Sequence, residues 1–378
     1  MGFYFLYFWK MKRFQALLIY FLLLLPFISL SQNTSDCSSV TISSATHNGA
    51  NTVNTYLESD GIRDGNDYYG STIYYPENTI GVLTSIIIIP GYANPELSIQ
   101  AWGSFLASHG IVCMTIGTNS IFDLVNDRKE ALQDALISLK AENNRTNSPL
   151  FNKLDTNKIA LGGWSMGGGG AQLVAAEDPS IKAILAFCPF IEPSVVSPSL
   201  LNHSAPILIF SGQIDVVAPP GTHADIQYNY TPSSTKKLKY EVFGGGHTIA
   251  NTPLGGFGEV GRMGLSWLKK YLVNDSCYCP LLLDTPTTAS DYETNIDCST
   301  PNSVVDYKND FIVFPNPASS TITLRGVLNK NNLYQIISID GRVLKSEILN
   351  SSKIDVSYLT KGVYILNYNH QKYKIVKN

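Results

Sequence analysis

The chain has 378 residues, enough for two or three domains with a large buried core, and its charge is distributed unevenly. Residues 32–310 carry 27 acidic and 15 basic side chains, a net charge of −12, whereas residues 311–378 carry 3 acidic and 9 basic side chains, a net charge of +6. Such a shift indicates separate modules, and the acidic first part excludes nucleic acid as an expected partner, because nucleic-acid binding needs a basic face.

The N-terminal residues 1–31 have the pattern of a secretory signal peptide. Basic residues at positions 10, 12 and 13 precede an apolar run from Phe14 to Leu30, and small residues at 29 and 31 suit cleavage before Gln32. An uncleaved membrane anchor is the alternative, and translation could start at Met1 or at Met11. Export places the mature chain in an oxidising compartment, where disulfides are permitted.

Apolar strands alternate with helix-like segments between residues 71 and 272. The run Ser85–Ile89 is continuously apolar and β-branched after its serine, which is typical of a strand buried on both faces of a mostly parallel sheet. Strands are expected at 71–75, 85–89, 111–116, 159–161, 181–187, 207–210 and 237–243, and helices at 98–109, 127–141, 171–175 and 260–272. This alternation predicts a doubly wound α/β sheet over a body of residues 32–283.

The last part of the chain has a different pattern. Residues 284–310 are rich in Pro, Ser and Thr, which predicts a linker that also carries a disulfide cysteine. Seven short alternating strands follow in residues 311–378, with turns at 329–332, 340–341 and 369–371, and they predict a small all-β, sandwich-like domain.

The six cysteines allow fifteen full pairings. Cys113 and Cys188 lie in apolar strands, where a free buried thiol is expected. Three others flank the loop-rich end of the body, where Cys279 with Cys298 is the preferred bridge, and Cys37 could then reach Cys277. Zinc is not expected, because no histidine or second cysteine pair stands at ligand spacing.

A strand, a sharp turn and a helix are predicted around Ser165. Gly163 and Gly167 bracket this serine as G-x-S-x-G, because a nucleophile on so tight a turn tolerates almost no side chain two residues to either side. The bare motif also occurs by chance in glycine-rich loops. The strand before it and the helix after it favour a nucleophile.

A serine nucleophile needs a histidine base. His247 is the expected base, because it follows three glycines after a strand, where a loop can carry the ring back over the serine. His203 precedes a strand and His223 falls within a predicted helix, so both are expected at the surface.

The acid that orients the histidine should lie between serine and histidine in the chain. Asp215 follows the strand 207–210 and should lie at the carboxyl edge of the sheet, where catalytic groups collect. Asp225, in a predicted helix, is the second choice; it is otherwise a solvated surface charge.

A tetrahedral intermediate needs two N–H donors for its oxyanion. The backbone N–H of Met166, directly after the serine, is one candidate, and Tyr92 in the loop after strand 86–89 is the other. Together with Trp164 and Phe190 these residues could form an apolar and aromatic cleft, although ordinary core packing would explain each of them alone.

Several motifs, in this order, resemble the bacterial cutinases and polyethylene terephthalate hydrolases of the polyesterase, lipase and cutinase group over about residues 50–300. They are Pro90-Gly91-Tyr92, Ala107-Ser108-His109-Gly110, Gly163-Trp164-Ser165-Met166-Gly167 through Gly170, Asp215 to Pro219, Gly246-His247 and Trp267-Leu268-Lys269. The resemblance implies an α/β-hydrolase that cleaves esters without a cofactor, acting as a monomer. It implies the triad Ser165, Asp215 and His247, the oxyanion donors Tyr92 and Met166, the substrate residues Tyr92, Trp164, Met166, Phe190 and Val217, and the Cys279–Cys298 bridge.

The chain departs from the family pattern beside the predicted cleft. Pro189-Phe190 stands where the family usually has Pro-Trp, and the segment to Pro206 is built differently. Pro219-Pro220 follows the predicted acid, and Thr248-Ile249-Ala250 follows the predicted base. These changes leave ester hydrolysis as the expected reaction, but they leave the preferred polymer open.

The C-terminal residues resemble the sorting domain of Bacteroidota type IX secretion substrates. The matching motifs are Phe314-Pro315-Asn316-Pro317-Ala318, Asp340-Gly341-Arg342, Leu359 to Tyr364 and the basic end Lys372 to Asn378. A carbohydrate-binding β-sandwich is the alternative. The whole chain is therefore expected to be a secreted serine ester hydrolase for polyester or cutin-like substrates, with a short-chain carboxylesterase or lipase, or an inactive surface binding protein, as alternatives.

Overall fold

The computed structural model describes residues 37–298, except 78 and 80, and residues 311–378, except 327–332, 340–341 and 369–370. It divides into two units with a boundary after Cys298. The predicted signal peptide, the last part of the predicted linker from residue 299, and the predicted turns at 329–332, 340–341 and 369–370 lie outside the described residues.

A nine-stranded sheet forms the centre of the first unit, with the strand order β1-β2-β4-β3-β5-β6-β7-β8-β9. The six strands from β3 to β8 are parallel to their neighbours within this group, and β1, β2 and β9 add antiparallel pairs at the two edges. The strands are β1 (Val53–Leu57), β2 (Ser71–Pro76), β3 (Leu83–Ile89), β4 (Val112–Ile116), β5 (Leu154–Trp164), β6 (Ile184–Phe187), β7 (Ile207–Gly212), β8 (Lys237–Val242) and β9 (Ala289–Thr294).

Helices cover both faces of this sheet. They are α1 (Ile42–Thr46), α2 (Ala101–Ser108), α3 (Val125–Glu142), α4 (Met166–Glu177), α5 (Ala224–Tyr230), α6 (Glu259–Leu268) with a π-helical continuation (Lys269–Val273), and α7 (Cys279–Leu283). Short 3-10 turns lie at Glu58–Asp60, Glu96–Ser98, Pro220–Thr222, Gly255–Gly258 and Ser276–Tyr278.

The central strand β3 shows why the sheet needs two helical layers. Ile86 and Ile88 belong to one apolar cluster, together with side chains of α2 and α6, whereas Ile87 and Ile89 belong to a second cluster with side chains of α3 and α4. All four isoleucines are fully buried, and each stabilises the fold by about 2–3 kcal/mol. The predicted doubly wound α/β class is confirmed.

Strand β9 lies in the segment that was predicted to be a linker, so that prediction is wrong for residues 289–294. The strand pairs antiparallel with β8 and closes that edge of the sheet. Its charged side chains Asp291 and Glu293 face Lys239 of β8 and form ion pairs with it. Charges on an edge strand prevent pairing with another chain, and they also remove the apolar pattern by which a strand is recognised.

Two disulfides fasten the ends of the first unit. Cys279 is bonded to Cys298 and Cys37 is bonded to Cys277, both as expected. Cys113 and Cys188 are free and buried, also as expected. No helix in the described part of the chain combines the length and the hydropathy that crossing a membrane requires.

The second unit consists of two antiparallel sheets with the orders β10-β11-β14 and β13-β12-β15-β16. One apolar cluster, which includes Ile322 and Leu324 from one sheet and Ile336 and Leu366 from the other, fills the space between them. The predicted small all-β domain is confirmed. Its strands are β10 (Phe311–Phe314), β11 (Thr321–Gly326), β12 (Leu333–Ser338), β13 (Val343–Ile348), β14 (Lys353–Asp355), β15 (Gly362–Tyr368) and β16 (Gln371–Lys377).

Replacing Cys279 and Cys298 by serine should lower the stability of the first unit. The bridge closes a loop with a sequence separation of 19, and opening a loop of this size costs about 3 kcal/mol by increasing the entropy of the unfolded chain. The midpoint of thermal unfolding, followed by circular dichroism, should fall by about 6–12 °C. Reductant should lower it further, because it also opens the bridge from Cys37 to Cys277. An unchanged midpoint would contradict a stabilising role.

Candidate active site

Ser165 occupies the turn between β5 and α4 in a backbone conformation that ordinary residues avoid. Its φ is 55° and its ψ is −122°, and the helix begins at the next residue. A Cβ on Gly163 would lie 2.2 Å from the carbonyl carbon of Gly167, and a Cβ on Gly167 would lie 2.6 Å from the carbonyl oxygens of Ile89 and Pro90. The predicted need for glycine at both positions therefore comes from close backbone contacts on either side of the serine.

The loop after β8 brings the imidazole of His247 to this serine. The distance from His247 Nε2 to Ser165 Oγ is 2.9 Å. Trp164 Nε1 donates to the carbonyl oxygen of His247 at 2.8 Å and so holds the histidine loop in place. The N–H of Ile214 donates to the carbonyl oxygen of Gly245 at 2.9 Å, so the histidine loop is also joined to the loop that carries the acid.

Asp215 lies in the loop after β7, and its side chain is fully buried. One carboxylate oxygen is 2.7 Å from His247 Nδ1, and the other accepts from the N–H groups of Val217 and Ala218 at 2.8 and 2.9 Å. Burial raises the pKa of Asp215, but the hydrogen bonds from His247 and these two N–H groups lower it more, and the net shift of the pKa is downward.

An ionised carboxylate can only accept hydrogen bonds, which determines the state of the neighbouring imidazole. His247 Nδ1 must carry a proton to donate to Asp215, and in neutral histidine Nε2 is then the acceptor that faces the hydroxyl of Ser165. The structure thus brings together the three side chains that the sequence selected from distant positions.

The competing residues occupy other positions. His203 and His223 were expected at the surface, which is wrong, because they are only 4% and 5% exposed. The ring of His223 packs against Phe190 with a centroid distance of 4.7 Å, and burial lowers the pKa of His223. Asp225 forms an ion pair with Lys239 of β8 and is not part of the serine site. Each buried ring has a hydrogen-bond partner at Nδ1: the carbonyl oxygen of Ala205 for His203 and the hydroxyl of Thr222 for His223, both at 3.0 Å.

The two predicted oxyanion donors lie beside Ser165. The N–H of Met166 belongs to the first residue of α4, and the first N–H groups of a helix have no intrahelical acceptor. Gly91 packs so closely on the serine that a Cβ there would lie 2.8 Å from Ser165 Cβ, and Tyr92 follows directly.

The five predicted substrate residues differ in exposure and in the groups that they contact. Tyr92 is 44% exposed and its ring contacts Phe122, and Val217 is 53% exposed on the loop after Asp215. Met166 and Phe190 are partly buried and line a common cavity. Trp164 is buried beside His247, with a ring distance of 5.5 Å, so its contacts are mainly with the histidine loop.

Arg128 is a residue of this site that the sequence did not indicate. It lies in the first turn of α3, is fully buried, and donates to the carbonyl oxygens of Pro90 at 2.9 Å and Ile121 at 3.1 Å. Ile121 also accepts from the N–H of Ala93, so the guanidinium fastens both ends of the loop that contains Tyr92. Burial lowers the pKa of Arg128 to about 10, which keeps it charged at neutral pH. An arginine in a polar helix has the pattern of a surface charge.

The fold and this geometry together define a class of protein. A largely parallel doubly wound sheet, a serine at a strand–helix turn, and an acid and a histidine on later loops at the same edge are the features of an α/β-hydrolase.

Comparison with known families identifies the chain within that class. Residues 34–300 match the family described as PET hydrolase-like, and the chain belongs to this family. Residues 312–378 match the secretion system C-terminal sorting domain. The resemblances inferred from the motifs are confirmed: the chain is a carboxylic-ester hydrolase, and it is a secreted protein whose C-terminal domain engages type IX secretion.

Individual relatives support this assignment. Cutinase 1 of Thermobifida cellulosilytica is 35% identical over 219 residues, 57% of this chain and 79% of the relative. A cutinase of Thermobifida fusca (strain YX) is 35% identical over 219 residues, 57% of this chain and 68% of the relative. Lipase 1 of Moraxella sp. (strain TA144) is 31% identical over 258 residues, 66% of this chain and 76% of the relative.

Asp215 should contribute to stability only while it is ionised. Its native pKa lies below the unfolded value of about 3.9, so this contribution is present above about pH 4 and is lost as the pH falls through the native pKa. The difference in free energy of unfolding between wild type and Asp215→Asn should therefore shrink as the pH falls from about 4 through the native pKa of Asp215. Denaturant titrations over a pH series would measure it. Asp64→Asn, at an exposed position, is the control and should show little difference at any pH. A difference that grows as the pH falls below about 4 would contradict the prediction.

Arg128→Met should reduce catalysis more than stability. Methionine fills much of the same volume but releases the loop of Tyr92, which is one of the two predicted oxyanion donors. Loss of one positioned oxyanion donor costs about 100-fold or more in kcat. We expect kcat for a soluble ester to fall by about 10- to 100-fold with a small change in KM. Lys129→Met removes the same charge one residue later, where the side chain pairs with Glu177, and should change kcat less than about twofold. Equal effects of the two substitutions would contradict the role of Arg128.

Proposed function

We propose that the chain hydrolyses polyester or cutin-like esters through an acyl-enzyme on Ser165, without a cofactor. The observation that carries this proposal is the hydrogen-bonded line from Asp215 through His247 to Ser165, with distances of 2.7 and 2.9 Å. One chain supplies all three residues, so the line does not need a residue from a second copy.

The reaction follows from the direction of these hydrogen bonds. Ser165 Oγ attacks the ester carbonyl while His247 Nε2 takes its proton, and Asp215 stabilises the imidazolium that forms. The negative oxygen of the tetrahedral intermediate accepts from the N–H groups of Met166 and Tyr92. His247 then protonates the departing alcohol oxygen. A water molecule, activated by the same imidazole, releases the acid in the second half of the cycle.

An insoluble polymer as substrate is supported by the apolar side chains exposed around the serine. Ile121, Phe122 and Leu124 are 42–59% exposed in the segment that packs beside Tyr92. Ile214 and Val216 are 63% and 88% exposed in the loop of the acid. Large exposed apolar groups grouped around a site are typical of a surface that contacts an apolar partner.

Hydrolysis of soluble short-chain esters is the second candidate. The similarity to a Moraxella lipase favours it, as does the replacement of the usual tryptophan by Phe190 beside the serine. The chemistry is the same in both cases, and only the preferred physical form of the substrate differs.

The full mature chain should release acid from an amorphous polyester film and also cleave p-nitrophenyl butyrate. Ser165→Ala should lower kcat for the soluble ester by about 10⁶-fold, because the nucleophile is removed while the fold is kept. Measured product release from both substrates separates the candidates. Activity on the soluble ester without activity on the film favours the carboxylesterase. Equal rates for wild type and Ser165→Ala would contradict the triad and favour a binding protein.

A further inference from the structure

A cavity of about 400 Å³ opens beside Met166 and Phe190. Its wall is formed by the start of α3, by one side of α4 and by the segment after Phe190, which we name the 191–200 segment. The lining residues outside this segment are Leu124, Val125, Asn126, Met166, Leu173 and Phe190, and the segment contributes Ile191, Glu192, Val195 and Leu200.

We propose that this cavity binds an unbranched alkyl chain on the acyl side of the ester, and that the 191–200 segment limits the chain length. The inference rests on the proposed function, because it takes Ser165 as the nucleophile. It adds a binding site that is separate from the exposed surface around Tyr92 and Val217.

The position of His247 decides which part of the ester the cavity receives. The alcohol oxygen must face His247 Nε2 in order to take its proton, so the alcohol leaves on the histidine side. The cavity is lined from α3, α4 and the 191–200 segment, whereas its lining includes neither the loop of Asp215 nor the loop of His247. It shares Met166 with the proposed oxyanion site. An acyl substituent that points away from the histidine therefore enters it.

The lining favours an alkyl chain over an aromatic ring. Behind the opening, Leu173, Ile191 and Leu201 form a small buried cluster with Val125, Val196 and Leu200 packed against it. The polar groups in the lining belong to exposed residues, Asn126 and Glu192. Phe190 is the sole aromatic residue of the lining, and its ring already packs against His223. An aromatic acyl group binds more tightly than an alkyl chain only if it can stack on an aromatic side chain. This lining offers no aromatic ring other than Phe190 for such stacking.

The local sequence explains how the 191–200 segment reaches α4. A Cβ on Gly169 would lie 2.3 Å from the carbonyl oxygen of Phe190 and 2.9 Å from Ile191 Cγ1, so only glycine allows this contact. Met166 and Leu173 are seven residues apart on α4 and therefore lie on the same side of the helix. The volume of the cavity is within the range of sites for small molecules.

The dependence of kcat/KM on acyl length tests the proposal. For p-nitrophenyl esters from acetate to dodecanoate, kcat/KM should rise about fourfold for each methylene that enters the cavity and then level off when the cavity is full. A flat profile for a wild-type enzyme that depends on Ser165 would overturn the acyl cavity and leave the proposed function intact.

Two substitutions should move this profile in opposite directions. Val195→Trp places an indole at the opening and should lower the ratio of kcat/KM for octanoate over acetate at least tenfold. Leu173→Ala deepens the cavity and should move the maximum to longer chains. The matched control is Val82→Trp. Val82 is 64% exposed and directly precedes β3, so it lies at the amino ends of the parallel strands, whereas the serine site lies at their carboxyl ends. If Val195→Trp and Val82→Trp give the same ratio, the assignment is wrong.

Binding of decanoate to full-length Ser165→Ala, measured by calorimetry, tests the cavity without catalysis. Binding that is weakened at least tenfold by Val195→Trp supports the cavity, whereas absence of binding overturns it. Loss of all esterase activity in wild type would instead overturn the proposed function, and the calorimetric result would still decide whether the cavity takes an alkyl chain.

Discussion

The hydrogen-bonded line of Asp215, His247 and Ser165 is the interaction on which the rest of the site depends. These residues follow β7, β8 and β5, which all point in the same direction, so their carboxyl ends lie at one edge of the sheet. β6 separates the serine strand from the acid strand. The histidine loop must therefore fold back across this edge. It does so closely, because a Cβ on Gly212 would lie 2.5 and 2.6 Å from the carbonyl oxygens of Gly245 and Gly246.

Space is the second constraint at this edge. The four glycines after Met166 each lie against a different neighbour. A Cβ on Gly167 would collide with the carbonyl oxygens of Ile89 and Pro90, and a Cβ on Gly168 would collide with the carbonyl oxygen of Gly163. A Cβ on Gly169 would collide with the carbonyl oxygen of Phe190, and a Cβ on Gly170 would lie tightly against the backbone of Arg128 and Lys129. Glycine in a helix costs about 1 kcal/mol per residue relative to alanine. The close approach of these four neighbours to α4 offsets that cost and brings the loop of Tyr92 and the 191–200 segment close to the serine.

Sequence patterns predicted the parallel core and the three residues of the line, because apolar runs, turn glycines and chain order report on strands and on the loops that follow them. They did not predict β9, the burial of His203 and His223, or Arg128. In these cases a polar or charged side chain is stabilised by a residue that is distant in the sequence. The carboxylates of β9 pair with Lys239, the ring of His223 packs on Phe190, and Arg128 donates to backbone carbonyls. Residue type alone suggests a surface position for all of them.

The buried cations of the first unit are held by different kinds of acceptor. Lys239 forms ion pairs with carboxylates of neighbouring elements, whereas Arg262 pairs with Glu259 of its own helix and with Asp284 and also donates to backbone carbonyls. Such ion pairs offset the loss of hydration. Arg128 instead donates to the backbone carbonyls of Pro90, Ile121 and Asp123. A buried guanidinium held by carbonyl dipoles is an expensive way to stabilise a fold, and an apolar side chain of similar size would serve packing as well. What the guanidinium adds is a fixed position for the loop of Tyr92, which lies beside Ser165.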